Sequence, residues 1–155
     1  RIRGICNSKS MLLDDDQIDL KDWEENFKRN ISPINYDEFI KSIQTDEIPH
    51  TCLIDCTANN EMARAYPEWI KRGIHIITPN KKANSLEYSL YEDIKKLLDQ
   101  KKVQYFYEAT VGAGLPIIST LKDLIQTGDE VLGIEGVFSG TLSYIFNNFS
   151  EKKSF

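Results

Sequence analysis

Short apolar runs alternate along this chain with longer stretches whose apolar residues recur at helical spacing. Residues 1–7, Thr51 to Cys56, Ile74 to Thr78 and Val103 to Tyr107 read as short buried strands. Asn7-Ser8-Lys9-Ser10 reads as a turn, followed by a brief apolar step from Met11 to Leu13. Asp19 is placed to cap a helix carrying Leu20, Trp23 and Phe27, and Asn35 one with Tyr36, Phe39, Ile40 and Ile43 on one face. A third helix is expected from Glu61 to Arg72, kinked or restarted at Pro67 and closed by Gly73. A fourth runs from about Leu86 to Lys101, burying Leu90, Ile94 and Leu97, and a fifth spans 117–126. The pattern predicts a strand from Glu130 to Phe138, then a helix from Gly140 to Phe149 opened by Ser139-Gly140-Thr141.

Strands that alternate with helices, each strand short and apolar, predict an α/β fold with a parallel sheet and helices on both faces. Ligands of such sheets gather at the carboxyl ends of the strands. That directs attention to the loops at 7–10, 57–60 and 79–85. No repeat or low-complexity segment interrupts the pattern, and from residue 129 onward the element order suits entry into a second domain.

Composition narrows the function. The 155 residues, 41% hydrophobic and 28% charged, are those of one ordinary globular domain. Nineteen basic against twenty-four acidic side chains give a net charge of −5, so no broad basic surface for nucleic acid is expected. No apolar run approaches the ~20 residues that span a bilayer, and no signal-peptide pattern opens the chain. Three cysteines, Cys6, Cys52 and Cys56, lie in strand-like runs and are expected to be buried reduced thiols of a cytoplasmic protein. His50, Cys52, Cys56 and His75 lack the close C-x-x-C turn of zinc sites, and packing is the favoured role for the cysteines.

Residues 108–118, Glu-Ala-Thr-Val-Gly-Ala-Gly-Leu-Pro-Ile-Ile, bend the chain sharply between strand and helix. Gly112 and Gly114 permit unusual backbone angles, and Pro116 is preset for a first helical turn. Such a bend is either a plain structural corner or a cage in which carbonyl oxygens join Glu108 around a hard cation.

Three motifs occur in order: Pro79-Asn80-Lys81-Lys82-Ala83-Asn84-Ser85, Tyr107-Glu108-Ala109-Thr110-Val111-Gly112-Ala113-Gly114-Leu115-Pro116, and Gly136-Val137-Phe138-Ser139-Gly140-Thr141-Leu142-Ser143-Tyr144-Ile145. Together with Asp55-Cys56-Thr57 and Asn7-Ser8-Lys9, they make the whole chain resemble homoserine dehydrogenase, in the variant carried behind an aspartokinase. The resemblance implies reversible reduction of aspartate 4-semialdehyde to L-homoserine with NAD(P)(H), on the route from aspartate to threonine, methionine and isoleucine. It implies a truncated Rossmann-type sheet lacking its first βα unit over 1–107. The bend and the start of an α+β substrate and dimerisation domain would follow over 108–155. The family's glycine-rich turn is expected upstream of Arg1, and its later acidic and lysine residues downstream of Phe155. The chain is therefore expected to be an internal fragment, inactive alone, of a homo-oligomeric enzyme with a small-molecule substrate and neither a nucleic-acid nor a membrane partner.

By the same resemblance, Lys81 is the catalytic candidate, because an ammonium stabilises the negative charge that builds on a reacting carbonyl oxygen. Its neighbour Lys82 is the other lysine that the loop can turn inward. Thr57 and Lys81 are expected at the nicotinamide end of the cofactor. Asn7, Ser8 and Lys9 are expected at its ribose, where the lack of an acid favours NADP over NAD. Glu108 with the backbone of Val111, Ala113 and Leu115 matches a monovalent-cation site for sodium or potassium. Gly140 and Thr141 match a substrate-contacting turn. Two other readings stand beside this one: a different oxidoreductase acting on another small carbonyl compound, and a non-catalytic piece that dimerises or scaffolds.

Overall fold

Two three-stranded sheets, rather than one, take up the strand-forming runs. The computed structural model describes residues 1–29, 32–44 and 49–149. In the first sheet β1 (Gly4–Cys6) pairs antiparallel with β2 (Ser10–Leu13), which pairs antiparallel with β3 (Ser32–Pro33). The turn between β1 and β2 explains the direction. Asn7 Oδ1 accepts from the N–H groups of Lys9 and Ser10 at 2.8 and 2.9 Å, folding the chain straight back. The apolar step at Met11–Leu13 is thus the second arm of a hairpin, and residues 7–10 do not close a parallel strand. Asp19 caps only a turn, accepting from Lys21 N–H, and helix α1 (Trp23–Arg29) starts later than its apolar spacing predicted.

Helix α2 (Tyr36–Ile43) forms as its sequence predicts. Asn35 Oδ1 accepts from Asp37 and Glu38 N–H, and Phe39, Ile40 and Ile43 are buried. Gly4 lets it settle closely, since a β-carbon there would lie 2.7 Å from the Phe39 ring.

The second sheet is parallel, in the order β4 (Thr51–Ile54), β5 (Ile74–Ile77), β6 (Tyr105–Phe106). Helix α3 (Asn60–Lys71) joins β4 to β5, and α4 (Tyr88–Lys101) joins β5 to β6. Asn59 caps α3 through Glu61 and Met62 N–H. Pro67 neither ends nor restarts α3, which is assigned as one helix through it. An internal proline costs roughly 3 kcal/mol. Burial of Met62, Ala63, Tyr66, Trp69 and Ile70 on the same helix face offsets that cost. Gly73, at φ +86°, makes the left-handed exit into β5.

One continuous core joins the two halves, with Met11, Phe39, Ile40 and Ile43 meeting Leu53, Met62, Tyr66, Ile70, Ile74, Ile76, Ile94 and Tyr105. On the parallel sheet these inward residues face α3 and α4. The opposite face carries exposed Cys52, Ile54, Ile77 and Phe106.

Beyond β6 the chain makes a 3-10 turn (Glu108–Thr110), then α5 (Ile118–Gln126) and α6 (Gly140–Asn148). The strand expected at 130–138 does not form: no ladder partner for that segment exists among the described residues, and Leu132, Val137 and Phe138 are exposed. A strand is defined by its neighbour, so alternating apolar residues alone leave an extended segment. No helix among the described residues is long and apolar enough to cross a membrane.

Candidate functional site

The carboxyl ends of β4 and β5 lie side by side, and a buried polar cluster ties the loops that leave them. At its centre is Asp55, 1% exposed, immediately after β4. Its Oδ2 receives the Tyr66 hydroxyl at 2.5 Å and Asn80 Nδ2 at 3.0 Å, and its Oδ1 receives Thr57 N–H at 2.8 Å. Thr78, just past β5, donates its hydroxyl to the Asp55 carbonyl and accepts Asn80 N–H, both at 2.8 Å. Asn80 Nδ2 also reaches the Asn59 carbonyl at 3.1 Å, and Asn80 Oδ1 accepts Lys82 N–H at 3.1 Å. Burial pushes the Asp55 carboxyl upward, but the bonds from Tyr66, Asn80 and Thr57 outweigh it and hold the group below the usual carboxylate range. The Tyr66 hydroxyl is driven well above its ordinary value, first by burial and then by donation to that carboxylate.

This cluster ties together the two loops that carry the sequence candidates Thr57 and Lys81. Thr57 is exposed, its amide held by Asp55 and its hydroxyl oxygen accepting Asn59 N–H. Lys81 is exposed between the anchored Asn80 and a short 3-10 turn at Lys82–Asn84, while Lys82 is half-buried. Asn7, Ser8 and Lys9 form the exposed tip of the β1–β2 hairpin. Cys6, at the base of that tip, feels the Asp55 charge, which raises its thiol beyond the effect of burial. The Tyr36 hydroxyl, at the start of α2, is pushed up first by burial and then by Cys6 and Asp55. Gly140 and Thr141 begin α6, where Ser139 Oγ accepts Leu142 N–H. Among the described residues, no hydrogen bond or ion pair joins that turn to Thr57 or Lys81.

At the bend both oxygens of Glu108 are engaged by the start of α5, accepting Ile118 N–H at 2.8 Å and Ser119 N–H at 2.7 Å. Gly112 at φ +71° and Ala113 at φ +53° make the corner, and a β-carbon on Gly112 would lie 2.3 Å from Ile117 Cδ1. The Leu115 carbonyl accepts Ile117 N–H at 2.9 Å. Desolvation opposes ionisation of Glu108, yet the Ser119 and Ile118 amides keep its carboxyl below the usual range. A depressed carboxyl stabilises the fold above its unfolded value, and that contribution disappears as pH falls through the folded value. Acidification should therefore shift the Ile118 and Ser119 amide resonances together in a neutral-to-acid NMR titration. Glu108→Gln should abolish that transition; its persistence would rule out Glu108 as the titrating cap.

Comparison with known proteins decides the family. The family model described as "Homoserine dehydrogenase, NAD binding domain" matches residues 1–108, and the one described as "Homoserine dehydrogenase" matches 116–155. The chain belongs to the homoserine dehydrogenase family. It is 50% identical over 156 residues to bifunctional aspartokinase/homoserine dehydrogenase 1, chloroplastic, of Zea mays, covering all of this chain and 17% of that protein. It is 44% identical over 133 residues to homoserine dehydrogenase of Schizosaccharomyces pombe, covering 86% of this chain and 35% of that one. Among solved structures, a protein of unknown function from Candida auris superposes with TM-score 0.81 at 39% identity, over 95% of this chain and 41% of its own. A hyperthermophilic archaeal homoserine dehydrogenase in complex with NADPH superposes with TM-score 0.57 at 22% identity, over 76% and 37%. That likeness is one of fold, and it gives the parallel half its Rossmann-type architecture. The chain thus spans under a fifth of the maize relative and about a third of the fission-yeast one.

Within this family member, sequence reasoning passed over Asp55, Tyr66, Thr78 and Asn80 as a working group. The signal was an acid inside the apolar run Leu53-Ile54-Asp55-Cys56, since a buried carboxylate requires partners. The cysteines also depart from expectation: Cys6 is half-buried, while Cys52 and Cys56 are exposed. Side chains alternate along β4 and beyond, so Leu53 and Asp55 turn inward and Cys52 and Cys56 outward onto the face α3 and α4 leave open. His50 and His75 do approach each other, Nδ1 to Nε2 at 3.5 Å, but His75 Nδ1 accepts Gln104 N–H at 2.9 Å. Neutral His75 then carries its proton on Nε2, the tautomer opposite to the one that would ligate a metal there.

Proposed function

We propose that this chain is the cofactor-and-bend portion of an NAD(P)-dependent homoserine dehydrogenase that interconverts L-homoserine and L-aspartate 4-semialdehyde. Family membership supports the dehydrogenase class. The observation that carries the reading to particular residues is the joining of the Thr57 and Lys81 loops at neighbouring parallel strand ends through one buried cluster. A nicotinamide cofactor, when bound, supplies and accepts the hydride. Exposed Thr57 and Lys81 beside rigidly held backbone fit such a group, with Thr57 orienting the nicotinamide end. The Lys81 ammonium stabilises negative charge on the substrate oxygen, and Lys82 is the alternative only if the loop rearranges.

The hairpin tip carries the cofactor preference. Asn7 spends its side-chain oxygen on the turn, which leaves Ser8 and Lys9 exposed and no acid to repel a 2′-phosphate. NADP is favoured over NAD on that basis. Glu108 and the carbonyls of Val111, Ala113 and Leu115 are the proposed seat of sodium or potassium. Each Glu108 oxygen retains a lone pair beyond its bond to α5. Gly140 and Thr141, at the N-terminus of α6, are the proposed contact for the substrate carboxylate. Residues 1–107 are assigned to the cofactor domain and 108–155 to the start of the substrate and dimerisation domain, residues 150–155 lying outside those described. The parent protein is proposed to be a homo-oligomer that also carries aspartokinase, in the cytoplasm or, as the maize relative's name has it, a chloroplast.

The test is homoserine-dependent reduction of NADP and NAD by the full-length gene product, set against this chain alone. Turnover by the former and none by the latter is expected, because the chain has no G-x-G-x-x-G phosphate loop of its own. No homoserine-dependent turnover by the full-length product would overturn the reading.

A further inference from the structure

We propose that Tyr66 is a positioning residue whose hydroxyl, acting through Asp55, fixes the two loops bearing Thr57 and Lys81 relative to each other; this rests on the reading of those loops as the hydride-transfer site. The argument is an account of protons. Tyr66 has one hydroxyl proton, and the 2.5 Å approach to Asp55 Oδ2 takes it. The Thr78 hydroxyl proton goes to the Asp55 carbonyl, so the 3.1 Å contact between the Tyr66 and Thr78 oxygens has no proton left to share. Both hydrogens of Asn80 Nδ2 are used, on Asp55 Oδ2 and the Asn59 carbonyl. The Asp55 carboxylate therefore rests on neutral donors alone, from Tyr66, Asn80 and Thr57, and no ion pair to it exists among the described residues.

A buried carboxylate so arranged depends on every donor it has. Each of its oxygens also holds one site loop: Oδ1 holds the Thr57 amide, and Oδ2 holds Asn80, whose own oxygen holds the Lys82 amide. Lys81 lies between those two anchored residues. Packing alone does not call for the hydroxyl. The Tyr66 ring is fully buried, with the Trp69 and Tyr105 ring centroids 5.9 and 6.0 Å away, and phenylalanine would fill the same space. What tyrosine adds is the bond to Asp55.

The test is Tyr66→Phe in the full-length protein, read in two ways. Amide exchange at Thr57 and Asn80 should accelerate roughly tenfold or more while α4 amides stay as protected as before, marking a local opening. The kcat for homoserine oxidation should fall roughly 10–100-fold with KM for homoserine held within about threefold, as expected for misplaced rather than missing groups. Unchanged exchange at Thr57 and Asn80, a uniform loss of protection across the core, or an unchanged kcat would each overturn the proposal. If Tyr66→Phe does not fold, Asp55→Asn, which keeps the side-chain shape but removes the carboxylate that accepts the Tyr66 proton, is read on the same amides and the same kcat with the same criteria. A full-length wild type without homoserine-dependent turnover would instead sink the functional reading, and the exchange data would still decide whether Tyr66 couples the loops.

Discussion

Lys81→Ala in the full-length protein is expected to lower kcat for homoserine oxidation about 10²–10³-fold, the usual scale for removing one preorganised stabiliser of charge on a reacting oxygen. The lysine occupies an exposed position between two residues whose polar groups are fixed, so its stem starts from a defined place. Loss of its charge should leave the cluster intact, and the unfolding midpoint should move little. Lys82→Ala makes the contrast: that side chain is half-buried, and its removal should change kcat only several-fold. Steady-state rates for both variants with NADP decide the matter. Near-normal turnover by Lys81→Ala, or a larger loss in Lys82→Ala, would take the assigned role away from Lys81.

The second large effect is on stability. Ile76 is fully buried at the middle of β5, the central strand of the parallel sheet, between Leu53 on β4 and Tyr105 on β6. Ile76→Ala should cost about 2–5 kcal/mol, because a rigid sheet flanked by α3 and α4 closes poorly around a lost side chain. Against a typical total of about 5–15 kcal/mol that is a large share, visible as a drop in the urea midpoint with little change in slope. Ile76→Val should cost about 0.5–1.5 kcal/mol. An alanine variant losing under about 1 kcal/mol would mean the core there relaxes freely, contrary to close packing.

The parallel half was legible from the chain because its information is local. The apolar runs at 51–56 and 74–78 hold β4 and β5, and Gly73 closes α3 where only glycine is at ease. What escaped reading depended on neighbours. The direction of β2 was settled by two bonds to Asn7 Oδ1, a feature of one turn that apolar patterning does not encode. Residues 130–138 have strand-like composition and no partner among the described residues, so composition and structure part there. The thiols were misjudged because a period of two says which residues share a face, not whether a helix covers it. In the candidate site, Thr57 and Lys81 were visible as residues after strands, whereas Asp55 and Tyr66 became a pair only through an eleven-residue separation closed by α3.

The outward thiols give the uncovered sheet face a chemical label. Cys52 and Cys56 stand exposed on that face, while Cys6 is half-buried in the other sheet, its thiol raised first by desolvation. Under alkylation Cys52 reports the open face and Cys6 serves as an internal reference. Whatever segment or subunit comes to lie over β4 can then be detected as silencing of the Cys52 adduct in a mass spectrum, while the Cys56 adduct, beside Thr57, reports the strand-end loop.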